Sequence, residues 1–166
     1  GLRVFDVEEL ITHGGSLRVY GCHADDPRAE AAAVPALVAE EERQGLRLLP
    51  TYRGLQRRAE RAKDDLLIFL IEQKRAGKKV AAYGAAAKGN TLLNYAGIKP
   101  DLLPYVCDVA PSKQGRFLPG SHIPILPPNA LNEGKPDFVL IFPWNISAAI
   151  VQQHAYVRNW GGGFVL

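Results

Sequence analysis

From Lys78 onward the chain alternates short apolar runs with helical stretches, and that alternation leaves few folds open to it. The runs at 79–84, 104–108, 137–142 and 163–166 read as strands. Residues 87–96, a short segment near 128–133 and residues 145–158 read as helices. Strands separated by helices pair in parallel through right-handed crossovers, so the expected fold class is α/β: a Rossmann-like parallel sheet with flanking helices. The Pro-rich stretch 119–128 falls between two of the strands and reads as a loop.

The first half has a different pattern. Residues 2–7 alternate apolar and polar, and Leu17-Arg18-Val19-Tyr20 follows the Gly-Gly turn of "THGGS", which predicts a β-hairpin or two neighbouring strands. Asp25-Asp26-Pro27 breaks it and offers a helix start. Val34 to Gln44 reads as an amphipathic helix stopped by Gly45. A long helix is expected from Thr51 to Ala76, closed by Gly77, with Leu55, Ala59, Ala62, Leu66 and either Phe69 or Leu70 on one face. The basic residues Arg57, Arg58, Arg61 and Lys63 lie mostly off that face and read as solvated. The domain reading is therefore a hairpin at 1–23, a helical segment at 24–77 and a Rossmann-like part at 78–166, together one compact unit.

Composition removes several classes. A formal net charge of +3 over 166 residues gives no argument for nucleic acid. No apolar stretch approaches the ~18 residues that a membrane span needs. Two cysteines without a CxxC spacing fit buried thiols in a reducing compartment, and the cytoplasm is the expected location. The sequence contains no methionine and reads as opening and closing in mid-strand, so a fragment of a longer protein is expected.

Ligands of open parallel sheets bind beyond the carboxyl ends of the strands. Three loops leave those ends, and topology puts them on one edge. The first follows Val80-Ala81-Ala82-Tyr83 and runs through Gly84, Ala85, Ala86, Ala87, Lys88, Gly89 and Asn90. Small residues there let a ligand approach the backbone, the helix N-terminus favours an anion, and Lys88 adds a charge. It matches neither GxGxxG nor GxxxxGK[ST]. A tight turn that needs small residues for helix packing explains the same pattern. The second loop carries Asp108, roughly at the ~20-residue offset of a ribose-binding carboxylate, and then Lys113, Gln114, Gly115 and Arg116, a cluster of donors around a glycine. The third is Pro143-Trp144-Asn145: Trp144 suits stacking on a base or packing in the core, and Asn145 suits a helix cap. His13, on the Gly-Gly turn, is the candidate catalytic residue, with no Ser-His-Asp pattern around it.

Four motifs, "THGGSLRVY", "YGAAAKGNTLLNYAGI", "KQGRFLPGSHIPI" and "DFVLIFPWN", occur in this order over nearly the whole chain. Together they resemble the C-terminal domain of S-adenosylmethionine-dependent C-methyltransferases, a family whose best-known members act on nucleotide-linked deoxysugars. The resemblance implies a full-length enzyme with a small zinc-binding N-terminal domain and a middle domain that holds the methyl donor. In that family the C-terminal domain helps to bind the nucleotide-sugar. The donor then methylates an enolate formed next to a sugar keto group. By this resemblance residues 1–23 join the upstream methyltransferase domain, with His13 facing the shared cleft. The ligand at Lys88 becomes the diphosphate of the acceptor, and this chain alone is expected to be inactive. S-adenosylmethionine and zinc belong to the upstream parts, and no metal site is expected here. The competing reading is a non-catalytic nucleotide- or NAD-binding module, against which the missing GxGxxG counts.

Overall fold

Residues 2–10 and 16–23 form an antiparallel hairpin, β1 (Leu2–Leu10) and β2 (Ser16–His23), in a computed structural model that describes residues 1–166. The register shifts between Val4 and Asp6, and Phe5, the residue between them, gives its carbonyl to the Ala31 N–H at 2.8 Å. The connection is a 3-10 turn at Thr12–Gly14 in which His13 itself takes a left-handed φ of 56°. Asp26 does not start a helix. Its carboxylate takes the Arg28 N–H and guanidinium, both at 3.0 Å, so it serves a turn, and α1 (Ala33–Arg43) begins later.

The sequence pattern predicts one long helix over 51–76; the structure breaks it. A short α2 (Leu49–Tyr52) precedes α3 (Leu55–Arg75). Gly54, a poor helix former, sits at the break. The Thr51 hydroxyl donates back to the Gly45 carbonyl at 2.6 Å and Tyr52 donates to the Leu46 carbonyl, which ties α2 to the turn after α1. Contacts divide the chain into two units, Gly1–Arg58 and Ala59–Leu166.

The second unit holds the sheet. Strands β3 (Val80–Tyr83), β4 (Val106–Cys107), β5 (Ile125–Leu126), β6 (Phe138–Ile141) and β7 (Gly163–Val165) are all parallel, in the order β5-β4-β3-β6-β7. Strand β5 lies inside the stretch that reads as a loop; two residues between Pro124 and Pro127 are too few to show a period. Strand β3 is central and buried throughout, which is why it reads as a continuous apolar run and not as an alternation.

Successive side chains then serve opposite faces. Val80, Ala82, Leu140 and Phe142 meet Leu66, Phe69 and Leu70 of α3 and Leu93 of α4 (Ala87–Ala96). Ala81, Tyr83, Val139 and Ile141 meet Leu131 of α5 (Ala130–Gly134), Ile150 of α6 (Ser147–Gln153) and Val157 of the 3-10 segment that follows. Helices thus cover both faces of the sheet. Both cysteines are buried free thiols, and burial pushes the Cys107 thiol up to about 12. No helix is long and apolar enough to cross a membrane.

The first turn of α4 presses on the sheet through Gly89, where an added Cβ would stand 2.5 Å from Cγ of Phe142. Gly89→Ala gains about 1 kcal/mol of helix propensity, but must displace a buried ring. We expect a net destabilisation of roughly 1–2 kcal/mol, read as a lowered urea midpoint; an unchanged or raised midpoint would show that α4 does not sit this close.

Candidate functional site

The chain runs from β3 outward to β4 and β5, then returns to the other flank of β3 for β6 and β7. The direction of winding reverses between β3 and β6, and a crevice outside the carboxyl ends is expected there. The two exits nearly touch. Gly84 has φ 92°, and a Cβ on it would lie 2.4 Å from Cδ of Pro143, so only glycine fits. The Gly84 N–H donates to the Cys107 carbonyl at 2.7 Å, and the Phe142 N–H donates to the Tyr83 carbonyl at 3.1 Å. All three loops singled out in the sequence leave this edge.

Asp108 joins the first loop to the second. Its carboxylate is buried and accepts the Ala85 N–H at 2.7 Å, the Ala110 N–H at 2.8 Å and the Lys113 ammonium at 3.0 Å. Lys113 also donates to the Ala85 carbonyl at 2.9 Å, and the Gln114 side-chain amide donates to the Asp108 carbonyl at 2.9 Å. Burial pushes the Asp108 carboxyl up, but the Ala110 N–H, Lys113 and the Ala85 N–H together outweigh it and hold it below the ordinary 3.8. The strand-end carboxylate that a dinucleotide fold offers to a ribose is here shared among donors of the chain itself. Gly115 and Arg116 continue the loop by pairing with Ile125, and the Arg116 side chain is exposed.

Within the first loop the Ala85 N–H goes to Asp108 and the Ala86 N–H to the Gly84 carbonyl at 2.8 Å. Helix α4 opens at Ala87 with no side-chain cap from Ala86. The first turn of a helix directs its N–H groups outward, away from intrahelical acceptors. Above them the Lys88 ammonium stands 4.9 Å from the centre of the Trp144 ring, a cation–π pair. Trp144 is 53% exposed, so of its two readings the structure excludes core packing. Asn145 does not cap α6: a 3-10 turn over Trp144–Ile146 intervenes, and Ile146 occupies the cap position. In the first turn of α4 the Asn90 side-chain oxygen is buried without a hydrogen-bond partner. His13 stands exposed on the hairpin turn and belongs to the first unit.

Two features carried no usable sequence signal. A cleft of about 580 Å³ lies beside Lys88 and Trp144, between α3, α4 and the β6–β7 side of the sheet. Leu66 and Phe69 of α3 help to line it, and their helical spacing reads only as core. On the opposite face, buried His154 lies 4.4 Å from the Tyr83 ring, with its Nδ1 3.0 Å from the Tyr156 hydroxyl and its Nε2 unpartnered. Burial alone holds its pKa below the ordinary value.

This parallel α/β domain presents a lysine, an exposed indole and an uncapped helix start beside its switch point, the position where open sheets of this kind bind ligands. The model of the C-methyltransferase C-terminal domain family matches residues 11–166. C-methyltransferase NovU of Streptomyces niveus is 35% identical over 166 residues, which is 100% of this chain and 40% of that protein. The chain belongs to the C-methyltransferase C-terminal domain family, as the four motifs indicate, and it spans about 40% of the length of that relative.

Asp108→Asn removes the charge that three donors share. At pH 7 it should destabilise the fold by about 2 kcal/mol. Because the folded pKa is depressed, this contribution is complete above 3.8 and is lost as pH falls through the folded value. Urea titrations of both proteins should therefore converge as the pH drops below 3.8; a constant difference would contradict this role.

Proposed function

We propose that this chain is the substrate-binding C-terminal domain of an S-adenosylmethionine-dependent C-methyltransferase acting in the cytoplasm, with a nucleotide-linked keto-deoxysugar as acceptor. The observation that carries the reading is the switch-point edge, where Lys88 and Trp144 flank the uncapped start of α4. A diphosphate there would meet the Ala87, Lys88 and Gly89 amides, the Lys88 charge and the helix dipole. Trp144 offers a face to a base or a sugar. Asn90, with its unpartnered buried oxygen, supplies a further polar group to the same turn. Gly84, Ala85 and Ala86 shape the loop, Asp108, Lys113 and Gln114 hold it rigid, and Arg116 and Asn145 border it.

We place the methyl donor away from this edge. Its glycine-rich motif is absent, and the first amide of the loop is already given to Asp108. The same fact weighs against an NAD-binding module. S-adenosylmethionine and zinc are both proposed for the upstream domains of the whole protein, as the family resemblance implies. S-adenosylmethionine supplies an electrophilic methyl group; this chain's part is to hold and orient the acceptor, and alone it transfers nothing. His13 is proposed as the residue that this chain directs to the reaction.

Calorimetric titration with TDP, UDP, NAD and S-adenosylmethionine tests the reading. The first two should bind and the last two should not. Lys88→Ala should weaken TDP binding about tenfold, the equivalent of roughly 1.4 kcal/mol. No binding of TDP or UDP, or equal binding by the variant, would overturn it.

A further inference from the structure

The cleft beside the proposed diphosphate position has a chemistry of its own. Leu66 and Phe69 of α3, Leu92 of α4, and Phe142 and Val165 of the sheet side line it, and Lys88 and Asp65 are its only charged lining residues. Its ~580 Å³ lies inside the ~300–1,000 Å³ range of small-molecule sites, which are mostly apolar with a few placed polar groups. A bare sugar suits such walls badly, because its hydroxyls would lose water and find no partners. A flat apolar ring system loses nothing on entering and gains dispersion contacts with Phe69 and Phe142.

Charge gives the orientation. Lys88, stacked on Trp144, marks one part of the lining, and Asp65 of α3 marks another. An anionic group is attracted to the first and repelled by the second. We propose that this cleft binds an aromatic anion: a planar apolar ring system within the cleft, carrying one negative group that reaches Lys88. The inference rests on the functional reading only in taking Lys88 as an anion's partner. It names a hydrophobic ligand, or a hydrophobic portion of the substrate, that the diphosphate does not account for.

8-Anilinonaphthalene-1-sulfonate has this chemistry, and its uncharged counterpart N-phenyl-1-naphthylamine lacks only the sulfonate. Fluorescence titration of the chain should show one saturable site for each. Ala62 lines the cleft from an exposed position on α3, so Ala62→Trp should fill it without disturbing the core. That variant should lose binding of both probes at least about tenfold, with an unchanged urea midpoint. Lys88→Gln should weaken the sulfonate about fivefold and leave the neutral probe unaffected.

Probe binding indifferent to Ala62→Trp, or loss of the neutral probe in Lys88→Gln, would overturn the inference. So would sedimentation showing a dimer that Ala62→Trp dissociates, because a second copy would then be the occupant. If TDP fails to bind but the probes behave as stated, the functional reading fails and the cleft stands. If TDP binds through Lys88 and the probes ignore the cleft, the reverse holds.

Discussion

The carboxylate of Asp108 is the interaction on which the rest of the switch-point edge depends. Burying an ion costs free energy unless donors surround it, and three do: two backbone N–H groups and one ammonium. They come from both loops, so a single side chain fixes the exit of β3 against the exit of β4. Gly84 and Pro143 then bring in the exit of β6 by contact. Helix α4 inherits its direction from this junction, and Gly89 lets it settle onto Phe142. The positions of Lys88 and Trp144 follow from those contacts.

The same interaction changes what the edge can hold. In a dinucleotide fold the first amides of the loop face a pyrophosphate and the next strand's carboxylate faces a ribose. Here those two groups bond to each other. The proposed anion site therefore lies one step along the chain, at the first turn of α4, next to an indole and beside an apolar cleft. The helix end that such folds offer to an anion is thus kept, while the Ala85 amide before it is taken by Asp108.

Much of this was legible in the residues. The helix over 87–96 has the bounds that its pattern predicts, and the strand expected over 79–84 is one residue shorter at each end, because a fully buried strand and a glycine-stopped helix leave strong local marks. Strand β5 left none, since it is two residues long and flanked by prolines. The break before Leu55 depended on Thr51 and Tyr52 reaching back to the preceding turn, a contact that no periodicity shows. Asp108 was visible as a strand-end carboxylate, but its partner Ala85 is 23 positions away and is set only by the pairing of β3 with β4. The cleft is a gap between elements, and the residues that border it look the same in sequence whether they meet a ligand or one another.

The central claim is that the anion site lies at the first turn of α4 and not at the amide taken by Asp108. Amide chemical-shift mapping of the ¹⁵N-labelled chain during titration with TDP tests it most directly. The account predicts saturable shifts at the amides of Ala87, Lys88 and Gly89 and at the Trp144 indole N–H, with the Ala85 amide held in place. Dominant shifts at Ala85 and Ala110, with the first turn of α4 unmoved, would mean that the ligand displaces the Asp108 carboxylate, and would contradict it.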